Sequence, residues 1–85
     1  MTPVTTRPAE ALERQEALTR VRQAIGLLHP REREVFLLRQ NGELTYEAIA
    51  VTLEIPVGTA KTRMRRALQH LRAALTAPVP ERSAP

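Results

Sequence analysis

The chain has 85 residues with one Phe, one Tyr, no Trp, no Cys and a formal net charge of +4. This length suits one small domain, and because aromatic side chains are scarce its core must come from Leu, Ile, Val and Ala on packed helices. The composition excludes a disulfide framework and a thiolate metal site, and the lack of a signal-peptide pattern and of a membrane-spanning apolar run predicts a cytoplasmic location.

The first helix is predicted over 9–28. Residues 1–8 contain proline and threonine without apolar periodicity, and we expect them to be disordered. Apolar residues then recur at helical spacing, with glutamates and arginines between them. These apolar residues are Leu12, Leu18, Val21, Ile25 and Leu28. Gly26 near the end of the pattern and Pro30 beyond it indicate that the helix breaks there.

A second helix is predicted over 31–41. Glu32 falls in its first turn, where a carboxylate interacts favourably with the helix dipole. Its apolar positions are Val35, Phe36 and Leu38. His29 precedes it, and we expect this histidine in a loop or at a helix cap. Asn41 and Gly42 form a turn dipeptide that ends the helix.

The third helix is predicted over 45–53. Thr45 is a good N-cap, and Glu47 follows in the first turn. One face carries Ile49, Ala50 and Leu53, and the small Ala50 allows another helix to cross closely. Tyr46 is expected to be a partly buried packing residue.

The fourth helix is predicted over 56–75. Ile55 is expected to be an apolar plug in the preceding turn, and Pro56 suits a helix start. An apolar stripe then continues for about five turns. It consists of Ala60, Met64, Ala67 or Leu68, Leu71 and Leu75. His70 is expected to be solvated on this helix, and the proline-rich residues 77–85 are expected to be disordered.

The positive charge of the chain is concentrated on the fourth helix. Residues 55–77 carry five cations and no carboxylate. These cations are Lys61, Arg63, Arg65, Arg66 and Arg72. A short helix, a tight turn and a long basic helix form the outline of a helix-turn-helix, whose second helix enters the major groove of DNA. The sequence therefore predicts DNA binding.

Three motifs resemble the fourth conserved region of bacterial sigma factors of the extracytoplasmic-function class. They are PREREVFLL at 30–38, LTYEAIA at 44–50 and IPVGTAKTRMRRA at 55–67. The resemblance covers roughly residues 20–75. The chain departs from the family at Glu43, where glycine is commoner, and at Ala60, where valine is usual. We expect Glu43 to change the turn rather than the fold.

The resemblance implies a function and a set of partners. In the family, this region binds the minus 35 promoter element as part of RNA polymerase, and the polymerase flap contacts the side opposite the recognition helix. An anti-sigma factor is a further partner that the resemblance suggests. The sequence shows no nucleophile, general base or phosphate loop, so we expect neither an enzyme nor a cofactor, and no membrane partner.

The predicted fold is all-α. It is a small four-helix domain over residues 9–76 with a C-terminal helix-turn-helix, of the winged-helix-like DNA-binding superclass but without a wing. The predicted core takes its members from all four helices and from the turn before the last. They are Val21, Ile25, Leu28, Val35, Phe36, Leu38, Ile49, Ala50, Leu53, Ile55, Ala60, Met64, Leu68 and Leu71.

The predicted DNA-binding residues lie at the start of the fourth helix. They are Pro56, Gly58, Thr59, Lys61, Thr62, Arg63, Arg65 and Arg66. Free backbone N–H groups at a helix start can meet phosphate, and Thr59 can donate its hydroxyl there. Lys61 and Arg66 lie where long side chains reach base edges. Arg63 is expected to contact phosphate or to pair within the protein, and Arg72 is too far along to reach bases.

Two other functions stay open. One is a transcriptional regulator of the response-regulator type, whose output helix-turn-helix also begins with a PREREV-like run. The other is a mimic of a sigma domain that binds an anti-sigma factor without DNA. The sequence does not decide whether the chain is an excised domain or a standalone protein, and it gives neither the promoter sequence nor the oligomeric state.

Overall fold

The computed structural model describes residues 8–76, which form four α-helices and no strand. The helices are α1 (Pro8–Gly26), α2 (Pro30–Gln40), α3 (Tyr46–Leu53) and α4 (Val57–Thr76). The predicted all-α fold of four helices is therefore confirmed. The two segments predicted to be disordered lie outside the described residues, except that Pro8 is the first residue of α1.

The α1–α2 junction is tighter than predicted. α1 ends at Gly26 rather than at residue 28, because the Leu28 amide bonds to the Ile25 carbonyl in a turn. His29 then caps α2, since its Nδ1 accepts a hydrogen bond from the Arg31 amide at 3.2 Å. Pro30 is the first residue of α2, a position where its missing N–H is not needed.

Leu38 accepts the hydrogen bond that closes the α2–α3 turn. Its carbonyl receives the Leu44 amide at 3.3 Å. Glu43 adopts a left-handed conformation with φ 52°, whereas Gly42 does not have a positive φ. A Cβ at Gly42 would lie 2.8 Å from the Leu38 carbonyl oxygen, so glycine is needed there for space. The predicted fold is therefore kept with Glu43 at this position.

The turn of the helix-turn-helix is a left-handed cap at Glu54, with φ 56°. The amide of the next residue, Ile55, bonds to the Ala50 carbonyl at 3.0 Å, as in a Schellman motif. Pro56 then offers its carbonyl to the amides of Thr59 and Ala60. Pro56 thus lies just before α4, which begins at Val57 rather than at the predicted residue 56.

Helix α4 is the central element, because two core clusters form along it. The first lies between α1 and α4 and contains Ala24, Leu28, Ala67 and Leu71. The second joins α2, α3 and α4 and contains Val35, Ile49, Ala60 and Met64. Phe36 packs against both clusters. Most of the predicted core is therefore confirmed, either as buried residues or as partly buried residues packed against these clusters.

For two residues the prediction of a core position is wrong. Val21 is 36% exposed and Leu68 is 42% exposed. Leu68 projects from the side of α4, and the neighbouring Ala67 is fully buried instead, because its small side chain lets α1 approach. The N-terminal part of α1 is also exposed at the apolar positions Leu12 and Leu18. Sequence periodicity located the stripe of each helix but not how far its neighbour extends.

Two arginine side chains donate hydrogen bonds to carbonyls at the ends of neighbouring helices. Arg33 on α2 donates to the Gly26 carbonyl at the end of α1, at 2.9 Å. Arg20 on α1 donates to the Leu75 carbonyl at the end of α4, at 3.2 Å. Carbonyls in the last turn of a helix have no partner within the helix, so these bonds satisfy groups that would otherwise rely on water.

Candidate nucleic-acid interface

The buried stripe of α4 fixes which of its residues face outward. Ala60, Met64, Ala67 and Leu71 are buried against the other three helices. The opposite side of the helix is therefore presented to solvent for all of its length, which is about 30 Å for 20 residues. Every predicted DNA-binding residue from Gly58 to Arg66 lies off the buried stripe and is exposed or half-buried.

The start of α4 is open to an approaching ligand. Pro56 and Gly58 are exposed, and Thr59 is half-buried. A Cβ added at Gly58 would meet nothing within 4 Å, so packing inside the domain does not require a glycine there. The amide of Val57 precedes the first hydrogen bond of the helix and has no intrahelical acceptor. This end of the helix is suited to an anion.

The cations that follow have no carboxylate partner within residues 8–76. Lys61, Arg65 and Arg66 are exposed, while Thr62 and Arg63 are half-buried. Within residues 8–76, the one ion pair joins His70 to Glu32, so no carboxylate oxygen lies within 4.0 Å of these cations. The intraprotein pair considered for Arg63 is therefore not formed in this part of the chain. The positive charge of α4 is therefore available to attract an external partner.

A groove runs along one flank of α4 where it meets the start of α3. Its volume is about 280 Å³, and we call it the Tyr46 groove. It is lined by Tyr46, Lys61, Met64, Arg65, Leu68, Gln69 and Arg72. Tyr46 is half-buried and packs against the second core cluster, as predicted. The exposed Leu68 is an apolar part of this groove rather than of the core.

Sequence reasoning missed Arg39 at the edge of this groove. Its guanidinium lies 4.8 Å from the centroid of the Tyr46 ring, a cation–π distance. It also donates to the Leu44 carbonyl at 2.8 Å. These two contacts hold the guanidinium beside the start of α3. The sequence signal was a long cation seven residues before an aromatic ring, which has meaning only once the turn between them is known.

The other flank of α4 carries the one ion pair found within residues 8–76. His70 is exposed, as predicted, but its Nδ1 lies 2.9 Å from Oε1 of Glu32, which the sequence analysis did not anticipate. Glu32 is buried in the first turn of α2. Thr59, Arg63 and Arg66 lie toward this same flank by helical periodicity. We call the side of α4 that carries its cations the basic face, which comprises Lys61, Arg63, Arg65, Arg66 and Arg72. This face is thus bordered by the Tyr46 groove on one side and by α2 on the other.

The described residues contain no group of three or more metal-ligating side chains. None of the helices in residues 8–76 is both long and apolar enough to cross a membrane.

The chain matches a known protein family. The family described as Sigma-70, region 4 matches residues 18–71, from the middle of α1 to the last buried residue of α4. No curated protein sequence matches the chain. The family match contains every residue of the basic face up to Arg66.

Proposed function

The chain belongs to the sigma-70 region 4 family, and from this we propose that it is the promoter-reading domain of an RNA polymerase sigma factor, binding the minus 35 element in transcription initiation. The extracytoplasmic-function class is part of the proposal and is supported by the IPVGTAKTR run at 55–63. One observation supports the proposal most strongly. It is the outward face of α4, whose cations have no carboxylate partner in the described residues.

The start of α4 is proposed to hold the DNA backbone. A helix start with free N–H groups attracts phosphate, and Thr59 adds a hydroxyl donor. Gly58 allows the DNA backbone to come close, because it places no side chain in the open space beside it. Arg63 is proposed to contact phosphate from the flank of the helix. These contacts position the domain but carry no sequence information.

Base reading is proposed for cations one and two turns further along. Lys61, Arg65 and Arg66 are exposed and long enough to reach base edges once α4 lies in the major groove. Arginine can donate two hydrogen bonds to O6 and N7 of guanine, which distinguishes this base from the others. Thr62 is proposed to contribute a hydroxyl or a methyl contact between them. Arg39, fixed over Tyr46, is placed to contact phosphate beside the start of α3.

Protein partners are proposed on the remaining surface. The family implies RNA polymerase core enzyme, with the flap bound on the side opposite α4. Leu37 on α2 and Val51 on α3 are exposed apolar residues on other helices, with exposures of 36% and 79%. They are available for such a contact. An anti-sigma factor is proposed as a further partner. From the family we infer a regulatory rather than a catalytic role for the domain, and we propose that it acts in the cytoplasm.

The test is a selection of bound duplexes from a random DNA pool. A promoter reader enriches a defined motif of a few base pairs, because direct readout penalises each wrong base pair. A sigma-domain mimic that binds only an anti-sigma factor enriches nothing. Enrichment of a motif by the protein, and loss of that enrichment in a variant with Lys61, Arg65 and Arg66 all changed to Ala, would support the proposal. A pool that stays random contradicts it.

A further inference from the structure

Lys61 is chemically distinct from every other cation on the basic face. It is the only lysine among the 13 Lys and Arg residues of the chain. A lysine amine becomes a nucleophile when it loses its proton, whereas a guanidinium stays protonated and does not react. Lys61 is exposed, and the one ion pair of residues 8–76 does not involve it. Chemistry directed at side-chain amines therefore has a single target in this protein.

The Tyr46 groove gives this amine an anion-binding environment. Lys61 lines the groove together with Arg65, Gln69 and Arg72, and none of the described residues that line it carries a carboxylate. Lys61 and Arg65 are four residues apart, so their side chains are neighbours on the helix surface. A guanidinium binds a phosphate group with two parallel N–H donors. A phosphate held by Arg65 would lie beside the Lys61 amine.

We propose that Lys61 is an acylation site for acyl donors whose leaving group bears phosphate. The donor's phosphate binds to Arg65 and Gln69, and the unprotonated Nζ of Lys61 attacks the acyl carbonyl carbon. An N–C bond forms, the bond from that carbon to the leaving oxygen or sulfur breaks, and its electron pair leaves with the phosphate-bearing group. The amine loses one proton to water, and no oxidant or reductant is needed.

The modification would regulate the proposed DNA interface, and this part of the inference rests on the proposed function. Acylation removes the positive charge of Lys61, which leaves four of the five cations of residues 55–77. It also removes an ammonium group that reaches base edges. Conversely, DNA bound to α4 covers the same amine. Bound DNA therefore blocks acylation of Lys61, and acylation weakens promoter binding.

The first experiment treats the full chain with acetyl phosphate, with acetyl-coenzyme A or with a neutral N-hydroxysuccinimide acetate, and locates the product by peptide mass spectrometry. We expect acetylation at Lys61 by at least one phosphate-bearing donor, and the two arms show which. Arg65→Ala should slow that reaction about tenfold or more, the loss of one charge-assisted contact, and leave the reaction with the neutral ester unaffected. Lys61→Arg should give no side-chain product.

Arg63→Ala is the matched control, because it removes the same charge from the same helix but lies outside the groove. If Arg63→Ala slows acetylation as much as Arg65→Ala does, only net charge matters and the groove has no role. If neither phosphate-bearing donor modifies Lys61 while the neutral ester does, the proposal is wrong.

The second experiment separates this proposal from the proposed function. Acetylated protein should bind its selected duplex at least about fivefold more weakly, because a contact to base edges is lost. Saturating duplex should protect Lys61 from all three reagents. Guided acetylation without protection by DNA would contradict the DNA interface alone. Protection by DNA from the neutral ester, with no reaction from either phosphate-bearing donor, would contradict the acylation site alone.

Discussion

Nδ1 of His70 on α4 lies 2.9 Å from Oε1 of Glu32 in the first turn of α2. Nδ1 donates this hydrogen bond when the Glu32 carboxylate is ionised, because an ionised carboxylate can only accept. The side chains are 62% exposed for His70 and 12% for Glu32, so the carboxylate has little access to water. Helix α4 is therefore joined to the start of α2 by a hydrogen bond to a carboxylate that has little access to water.

Loss of the imidazole should destabilise the domain. His70→Ala removes the donor and leaves the Glu32 carboxylate poorly solvated, so we expect the free energy of unfolding to fall by about 1 kcal/mol. Urea denaturation at fixed pH measures this. Gln69→Ala is the control, because Gln69 is an exposed neighbour on the same helix. Equal stabilities of the two variants would mean that the pair contributes nothing.

The two core clusters should unfold together because Phe36 packs against both. Phe36→Ala should lower the free energy of unfolding by about 3 kcal/mol, the lower end for a buried aromatic ring, since this ring is only partly buried. Val51→Ala is the control at 79% exposure and should change stability by less than about 0.5 kcal/mol. Similar denaturation midpoints for both variants would show that Phe36 does not join the clusters.

Exchanging glycine around the α2–α3 turn should have opposite effects at adjacent positions. Glu43→Gly relieves a left-handed conformation that costs an L-residue about 1 kcal/mol or more, so this variant should be more stable by a few tenths of a kcal/mol after the added chain entropy of glycine. Gly42→Ala should be less stable, because its Cβ would contact the Leu38 carbonyl. Thermal unfolding compares the two, and a stabilising Gly42→Ala would contradict this turn geometry.

Salt should weaken DNA binding steeply. If α4 neutralises about three to five phosphates, log affinity should fall against log salt with a slope of roughly −3 to −4.5. Fluorescence anisotropy over a series of salt concentrations measures the slope. Arg22→Ala, which removes an exposed cation from α1, should leave the slope unchanged. A slope near zero for the unaltered protein would leave the charge of α4 without a role in DNA binding.

The helices were predictable because their signals are local. Thr45 caps α3 through a bond to the Ala48 amide at 3.1 Å, and the turn residues before Pro56 end it. The stripe of α4 was likewise readable from spacing alone. The choice between Ala67 and Leu68 was not, because both fit the spacing and only the close approach of α1 decides in favour of alanine.

The border of the candidate site depended on contacts between distant parts of the chain. Glu32 and His70 are 38 residues apart, and nothing in either local sequence indicates the other. Arg39 and Tyr46 are in contact only because the turn at Gly42 and Glu43 places the start of α3 beside the end of α2. Tertiary packing, rather than propensity, determines such pairs. The residues proposed to contact DNA were predictable in position along α4, and their roles stay predictions.

We propose that α4 reads bases with Arg66 and binds the DNA backbone with Thr59. Arg66→Ala should cost about 1 to 3 kcal/mol on the selected duplex and much less on a scrambled one, because a bidentate contact to guanine is lost. Thr59→Ala should weaken both duplexes alike.

The most direct measurement is fluorescence anisotropy of both variants against the selected and the scrambled duplex at one salt concentration. We expect Arg66→Ala to lower the ratio of the affinity for the selected duplex to that for the scrambled duplex, and Thr59→Ala to leave this ratio unchanged. Equal losses on both duplexes for Arg66→Ala would make Arg66 a phosphate contact and contradict base reading by this residue.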